Sequence, residues 1–324
     1  MSETRLFFRQ TGGPEVIECE SFDLAAPGPG EVVVRHTAVG LNFIDIYYRS
    51  GLYPTPLPSG LGSEAAGRIE AIGEGVTGFS VGDRVAYATS PLGAYATARV
   101  MSADPLIKLP DDISDETAAA GLLKGMTAAF LSDRCAKVTA GQSALVHAAA
   151  GGVGSILVPW LVARGVTVIA HSGSEEKAAQ ARAAGAAHSL YCSFDELAAA
   201  VRKATDGRGV DVVFDGVGAA SWAASLASVA RLGLLACYGN ASGPIPPVDP
   251  LSLLRAGSVF LTRPSLFDYG HDAADRQQLA ETLFDMIRGG LTIEVGQRCA
   301  LADAAEAHQA LASRSTRSST ILSI

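Results

Sequence analysis

A run of small residues with glycine spacing is the feature of this chain that most directly indicates chemistry. Residues 148–154 read AAAGGVG and follow a short apolar segment at residues 143–147. In a strand–turn–helix unit, small residues let the backbone approach a pyrophosphate, and the start of the helix offers unpaired N–H groups. The spacing predicts a dinucleotide site, and the alternative is a tight structural turn without a ligand. The residues predicted to form this site are Gly151, Gly152, Val153 and Gly154.

The residues after the next apolar segment predict which dinucleotide is bound. That segment runs into residues 171–174, which read HSGS and contain no carboxylate. Enzymes that use NAD usually carry Asp or Glu there to bond the ribose 2′-hydroxyl. Lys177 follows instead, and a cation at this edge favours a 2′-phosphate. Glu175 and Glu176 are interpreted as the first turn of a helix, so the sequence predicts NADPH rather than NADH.

The elements around these turns predict an α/β fold. From Ser143 onwards, short apolar strands alternate with Ala-rich helices, which is typical of a doubly wound parallel sheet of the Rossmann type. Before residue 125, frequent Gly and Pro turns separate short β-rich segments and predict a mostly antiparallel domain. A short helix is predicted over 42–49 and a long one over 115–134, with Ser114 as its cap.

The last part of the chain breaks this alternation. A helix is predicted over 275–288, a capping-box pattern occupies 303–306, and a terminal strand is predicted over 319–324. We expect this tail to return and complete the first domain. The predicted domains are residues 1–125 with 265–324, enclosing residues 126–264.

Composition excludes several classes of protein. The 324 residues are 48% hydrophobic, which is enough for a large core, and the net charge is −8. An acidic chain without a dense Lys/Arg run is a poor ligand for nucleic acid or anionic membranes. No apolar stretch is long enough to span a bilayer and the first residues lack a signal pattern, so we expect a cytoplasmic protein.

Longer motifs carry a resemblance to a known family. They include GLNFIDIYYRSGLYP at 40–54, GLGSEAAG at 60–67, LKGMT at 123–127, HAAAGGVG at 147–154 and TRPSL at 262–266. On these motifs the chain resembles the NADPH:quinone oxidoreductases of the zeta-crystallin branch of the medium-chain dehydrogenase/reductase superfamily. The resemblance implies a GroES-like domain enclosing a Rossmann domain, a homodimer, and transfer of a hydride or electrons from NADPH to a quinone in the interdomain cleft.

The resemblance also implies the contacts of the cofactor. Asn42 and Thr127 correspond to residues near the nicotinamide, and Gly152 and Val153 to residues at the pyrophosphate. The positions implied for the 2′-phosphate are Gly173, Ser174, Lys177 and Arg314. The positions implied to line the cleft are Asn240, Arg263, Ser265 and Leu266. The family's phosphate-binding Asn-Tyr pair is Tyr191-Cys192 here, so Tyr191 is displaced by one position. On a strand, this shift would turn the tyrosine to the opposite face, so Lys177 with Arg314 is expected to take over its role.

No metal site is expected. The positions at which zinc alcohol dehydrogenases carry Cys and His are Asn42 and Ser63 here, and residues 87–97 contain no cysteine for a structural zinc lobe. Amide and hydroxyl groups do not replace thiolate and imidazole at a tetrahedral zinc. Glu64 is interpreted as a structural or hydrogen-bonding residue.

Without a metal, catalysis must depend on positioning. The acceptor oxygen gains negative charge and needs a donor or a proton. Asn42 carries an amide donor, and Tyr47 and Tyr53 are expected to wall the pocket, although both tyrosines could instead serve packing alone. Lys124 is a further candidate, with a solvated helix lysine as the alternative.

Two other functions stay open at this point. The same NADPH cleft could reduce an activated C=C bond of an enone or enal. The second is a role of another class, either RNA binding or a structural crystallin-like role. The acidic charge and the lack of aromatic–basic clusters argue against it.

Overall fold

The computed structural model describes residues 2–88 and 91–324, so Thr89 and Ser90 of the cysteine-free stretch 87–97 lie outside the described residues. Contacts divide the chain into two compact units. One comprises residues 2–124, 272–284 and 293–324, and the other comprises residues 125–271 and 285–292.

The first part of the chain forms short strands and two helices. The strands are β1 (Glu3–Phe8), β2 (Glu18–Phe22), β3 (Glu31–Leu41), β4 (Ser59–Gly60), β5 (Glu64–Ile72), β6 (Arg84–Ala88), β7 (Ala98–Ser102) and β8 (Ile107–Lys108). The helices are α1 (Phe43–Arg49) and α2 (Asp115–Ala129). The predicted cap of α2 is confirmed, because the Thr117 amide donates to Ser114 Oγ at 3.1 Å. The helical segment predicted over 115–134 is confirmed, and its last turn, Phe130–Cys135, is π-helical.

The middle of the chain alternates strand and helix as predicted. Its strands are β9 (Ser143–His147), β10 (Thr167–His171), β11 (His188–Leu190), β12 (Val210–Asp215), β13 (Val229–Cys237) and β14 (Phe260–Thr262). Its helices are α3 (Gly154–Ala163), α4 (Glu175–Ala183), α5 (Phe194–Ala204), α6 (Trp222–Ser228), α7 (Pro250–Arg255) and α8 (Leu266–Tyr269).

The last part adds two helices and two strands. They are α9 (Ala273–Arg288), β15 (Val295–Ala300), α10 (Ala304–Ala312) and β16 (Ser319–Ser323). The predicted capping box at 303–306 is wrong. A 3₁₀ turn, Leu301–Asp303, leads into α10, so Asp303 has φ −94° and ψ 19° rather than an extended backbone, and its side chain makes no cap hydrogen bond.

In the second unit, strands β9 to β14 form one parallel sheet in the order β11-β10-β9-β12-β13-β14. All five residues of β9 are buried, as expected for a central strand covered on both faces by helices. Leu145, Ile169, Val213 and Leu235 belong to its hydrophobic core and are fully buried. The Rossmann-type sheet predicted from the alternation is confirmed.

In the first unit, the described strands form two sheets. One has the order β2-β1-β4, and the other runs β15-β16-β3-β5-β6-β8, with β7 also paired to β3. The C-terminal strand β16 lies antiparallel to β3, with Ile321 opposite Gly40. The long strand β3 therefore sits between β16 and β5, and its end at Leu41 leads directly into α1.

Candidate cofactor and active site

The glycine turn connects β9 to α3 with close backbone packing. Gly154 is the first residue of α3, and a Cβ added to it would collide with the Ala148 carbonyl oxygen and come within 2.8 Å of the Ala149 backbone. The Ala149 amide donates to the carbonyl of His171 at 3.1 Å. The turn is thus held between the ends of β9 and β10, with the start of α3 beside it.

The second turn, after β10, lies next to the first. His147 and His171 are partners in the parallel register, so both strands end at the same level. Ser174 caps α4 by accepting from the Lys177 amide at 3.2 Å. A Cβ added to Gly173 would meet no protein atom within 4 Å. The end of β10 thus carries a histidine, a glycine and a capped helix start, with the two glutamates in the first turn of α4 as predicted.

The position of Tyr191 differs from the sequence expectation of a strand residue. Strand β11 ends at Leu190, so Tyr191 and Cys192 follow it, and Tyr191 is 57% exposed. The carbonyl of Cys192 lies 3.1 Å from His171 Nε2. A one-residue shift therefore does not reverse a strand face here.

The remaining predicted cofactor residues of this unit follow β13 and β14. Asn240 lies in the turn after β13, where its carbonyl accepts from Gly243 at 2.9 Å. Ser265 caps α8 through its hydroxyl, which accepts from the Phe267 amide at 3.2 Å, and Leu266 begins that helix. Arg263 is exposed and donates to the Pro264 carbonyl at 3.0 Å. These turns and the two described above all follow carboxyl ends of the same parallel sheet, whereas Thr127 lies in α2.

A buried histidine, His147, ends β9 directly before the glycine turn. Ser225 Oγ donates to Asp215 Oδ2 at 2.6 Å, so His147 Nε2, 2.8 Å away, must be the donor to Ser225 Oγ. His147 Nδ1 then carries a lone pair, and this atom has no hydrogen-bond partner among the described residues. Burial lowers the pKa of His147 to about 4, which keeps the ring neutral beside the turn.

In the first unit, the three predicted catalytic residues lie on or beside α1. Asn42 precedes the helix, and its backbone N–H donates to Asp45 Oδ2 at 2.9 Å. Tyr47 is buried in α1, and its ring centroid lies 5.2 Å from that of Tyr53 in an edge-on arrangement. The Tyr53 amide donates to the Tyr47 carbonyl at 3.0 Å. The structure thus brings Tyr47 and Tyr53 together and places Asn42 at the start of the same helix. Arg314 lies elsewhere in this unit, in the turn after α10.

A chain of hydrogen-bonded polar side chains holds α1 in place. Arg49 Nη1 lies 3.0 Å from His308 Nδ1, and since a guanidinium can only donate, this ring nitrogen accepts. His308 Nε2 then donates to Tyr95 OH at 3.0 Å, and Tyr95 donates to Asp45 Oδ2 at 3.1 Å. Ser63 Oγ donates to Asp45 Oδ1 at 3.2 Å. Burial lowers the pKa of His308 to about 3 and raises the pKa of Asp45 to about 7.

A second buried group, centred on Glu64, holds the Asn42 side chain. Glu64 Oε2 accepts from Asn42 Nδ2 at 2.8 Å, and its Oε1 accepts from the Leu123 amide of α2 at 2.6 Å. Lys124 Nζ lies 3.5 Å from Glu64 Oε2. The sequence indicated Lys124 and Glu64 individually, but their pairing depends on contacts between β5 and α2 that no spacing rule predicts.

Comparisons with known proteins place the chain in a family. Residues 28–111 match the family model described as "Alcohol dehydrogenase GroES-like domain", and residues 152–284 match "Zinc-binding dehydrogenase". The chain is 50% identical to a quinone oxidoreductase of Pseudomonas aeruginosa over 98% of both chains. The chain belongs to the quinone oxidoreductase family. It is also 42% identical, over 96% of both chains, to a 2-haloacrylate reductase of a Burkholderia species.

A solved structure of the same family shares the fold. The Escherichia coli quinone oxidoreductase complexed with NADPH superposes with a TM-score of 0.96 at 41% identity, covering 99% of this chain and 100% of that one. This agreement confirms the predicted fold class, a GroES-like domain plus a Rossmann domain.

Two positions that carry zinc ligands in related dehydrogenases hold other residues in this quinone oxidoreductase family member. Asn42 and Ser63 stand at these positions, and both donate hydrogen bonds to carboxylates, Glu64 and Asp45 respectively. Within residues 2–88 and 91–324, no group of three or more His, Cys, Asp or Glu side chains is placed to hold a metal ion. No helix of the described chain is long and apolar enough to cross a membrane.

Proposed function

We propose that this protein reduces quinones with NADPH and without zinc. The observation that carries the proposal is the pair of adjacent turns after β9 and β10. One has a glycine where any side chain would strike the turn backbone, and the other has a capped helix start with no carboxylate at the strand end. The first feature fits the pyrophosphate of a dinucleotide, and the second fits a dinucleotide that carries a 2′-phosphate.

Each predicted residue then has a proposed role. The pyrophosphate would lie against Gly151, Gly152, Val153 and Gly154. The 2′-phosphate would be held by Gly173, Ser174, Lys177 and Arg314. The nicotinamide end would be lined by Asn42, Thr127, Asn240, Arg263, Ser265 and Leu266. We propose that residues 126–264 act as the NADPH-binding domain and that residues 1–125 and 265–324 form the catalytic domain.

The residues around α1 are proposed to act by position. When bound, NADPH supplies a hydride or electrons from nicotinamide C4. Asn42 offers an N–H donor to an oxygen of the nicotinamide carboxamide or of the quinone, and Tyr47 and Tyr53 wall the pocket. Donors aimed at an oxygen that gains negative charge lower the barrier. The reduced quinone oxygens can take protons from water, so no protein acid is required.

The test is oxidation of NADPH across a panel of acceptors. We expect 1,4-benzoquinone to be reduced faster than a simple enone, with electron spin resonance used to detect any semiquinone. The Burkholderia relative named above favours C=C reduction as the second candidate function. An enone or 2-haloacrylate turned over faster than every quinone in the panel would establish that second function instead.

Substituting Lys177 tests the proposed choice of cofactor. Because its ammonium is proposed to pair with the 2′-phosphate, Lys177→Ala should weaken NADPH binding about tenfold, or about 1.4 kcal/mol, and leave NADH binding unchanged. Dissociation constants from cofactor fluorescence measure both. Lys203→Ala, at an exposed lysine of α5, is the control and should change neither. An equal loss of affinity for NADPH and NADH would show that Lys177 does not contact the 2′-phosphate.

We also propose that the protein is a cytoplasmic homodimer that associates through β14. This strand is one of the two edges of the six-stranded sheet, and Phe260 on it is 63% exposed. Leu251 and Leu254 of the preceding helix are 52% and 62% exposed. An open edge with adjacent apolar side chains favours pairing with a second copy.

Phe260→Glu is therefore expected to convert a dimer into a monomer in sedimentation equilibrium, because it places a charge at the proposed contact. Val81→Glu is the matched control, since Val81 is equally exposed (65%) but lies in the first unit. A wild-type protein that sediments as a monomer would exclude the dimer, and a dimer that survives Phe260→Glu would exclude this interface.

A further inference from the structure

Glu64 is a carboxylate enclosed entirely by protein. It is the first residue of β5 and has no exposed surface. Its partner in β3 is Gly40, and a Cβ at Gly40 would overlap Glu64 Oε2 and the Ala119 carbonyl. Gly40 thus leaves the space that the carboxylate occupies. A site shaped around one side chain in this way indicates a specific role for that side chain.

The hydrogen-bond donors and the cation beside Glu64 favour an ionised carboxylate. Two N–H groups donate to it, one from Asn42 and one from Leu123, and the Lys124 ammonium lies 3.5 Å away. Burial raises the pKa of Glu64, and the Lys124 ammonium and the two N–H donors act in the opposite direction and favour the charged form. Lys124 is itself buried, and its Nζ makes no hydrogen bond to any described residue. Lys124 therefore acts on Glu64 through its charge and not through a directional hydrogen bond.

An ionised carboxylate has acceptors and no donors. It can therefore face only the nitrogen end of the Asn42 amide, since the oxygen end would be repelled. The backbone of Asn42 is separately held by the Asp45 carboxylate. The amide consequently has one orientation, with one N–H directed to Glu64 and the second hydrogen on the same nitrogen left for a ligand.

We propose that Glu64, with Lys124 as its counter-charge, is a positioning residue that sets which end of the Asn42 amide faces the reacting groups. This inference rests on the proposed function, because it assigns the donor that Asn42 offers there. Glu64 itself touches neither cofactor nor acceptor in this scheme. Without its charge, the amide can rotate by 180° and present oxygen, a repulsive partner for an oxygen that gains negative charge.

The test is a double-mutant cycle between Glu64→Gln and Asn42→Ala. Glutamine keeps the shape of Glu64 but can present either an oxygen or an NH₂ group to Asn42. Glu64→Gln alone should lower kcat with saturating NADPH and benzoquinone about tenfold and change the KM for NADPH less than about twofold. In the Asn42→Ala background, the same substitution should leave kcat unchanged. Lys124→Met should also lower kcat, and, like Glu64→Gln, only when Asn42 is present.

A second readout does not depend on activity. The side-chain NH₂ resonances of Asn42, assigned by their loss in Asn42→Ala, should show one proton shifted strongly downfield by the carboxylate. Glu64→Gln should bring the two proton shifts together. Glu70→Gln is the matched control, because it makes the same substitution at a half-exposed position of the same strand, and it should change neither kcat nor these resonances.

The outcomes separate the two proposals. Multiplicative losses of kcat in both Asn42 backgrounds would show a general structural role and overturn the positioning role. Unshifted Asn42 resonances in the wild type would also overturn it. A wild-type protein that reduces no quinone but shows the expected shift and its loss in Glu64→Gln would overturn the proposed function while leaving the amide orientation established.

Discussion

Gly154→Ala is expected to weaken NADPH binding about 100-fold, or roughly 3 kcal/mol. The added Cβ would strike the Ala148 carbonyl and the Ala149 backbone, and backbone atoms cannot rotate away as a flexible side chain can. The turn or the start of α3 must therefore shift. Both are proposed to contact the pyrophosphate, which needs close approach to N–H groups at the helix start. Cofactor fluorescence titration measures the loss.

Gly173→Ala is the matched control for this prediction. Gly173 also belongs to the proposed cofactor site, but a Cβ there would meet no protein atom within 4 Å. The melting temperature of Gly173→Ala should therefore equal that of the wild type, and any loss of affinity would report contact with the ligand itself. Wild-type affinity in Gly154→Ala would refute the assignment of this turn as the pyrophosphate site.

Asp45→Ala is expected to lower the free energy of unfolding by about 3–5 kcal/mol. The Asp45 carboxyl accepts from the Asn42 amide, Tyr95 OH and Ser63 Oγ, and it is completely buried. Its removal leaves three donors without an acceptor and detaches the start of α1 from the Arg49–His308–Tyr95 chain. Denaturant unfolding followed by far-UV circular dichroism suits this measurement, because both tryptophans, Trp160 and Trp222, lie in the second unit.

The stability deficit of this variant should depend on pH. Burial raises the pKa of Asp45 from 3.8 to about 7 in the folded state, so the folded protein holds a proton that the unfolded chain releases. The contribution of this group to stability is thus present at acidic pH and is lost as pH rises through about 7. We expect the deficit to be larger at pH 5 than at pH 8. Asp23→Ala, at an exposed aspartate, should cost less than about 0.5 kcal/mol. A deficit that small in Asp45→Ala would show that water replaces the carboxylate.

Local patterns were sufficient to predict the parts of the protein whose structure depends on neighbours in sequence. The alternation after Ser143 predicted the parallel sheet, since strand and helix periodicities are local. The AAAGGVG turn predicted a strand–turn–helix unit, and Ser114 predicted the cap of α2. Asp303 shows the limit of such patterns. Its spacing to Glu306 suits a capping box, but the preceding 3₁₀ turn gives its backbone the wrong conformation.

Family resemblance extended these predictions to the site, where the roles of individual residues stay predictions. It indicated Asn42, Tyr47 and Tyr53, and the structure places all three on or beside α1. It did not indicate what holds Asn42 in place. The Asn42 side chain donates to Glu64, 22 positions away. Glu64 in turn accepts from the Leu123 amide, 59 positions further along the chain.

The sequence by itself determined the family and the fold class and led to the prediction of a phosphorylated dinucleotide, because each depends on local motifs or on the absence of a carboxylate after β10. Only the tertiary structure decided the two buried polar groups around α1, one centred on Glu64 and one linking Asp45 to His308. Arg49 meets His308 across 259 positions of sequence. Hydrogen bonds of that range form when β3, β5, α2 and α10 pack together, and residue spacing carries no information about such contacts.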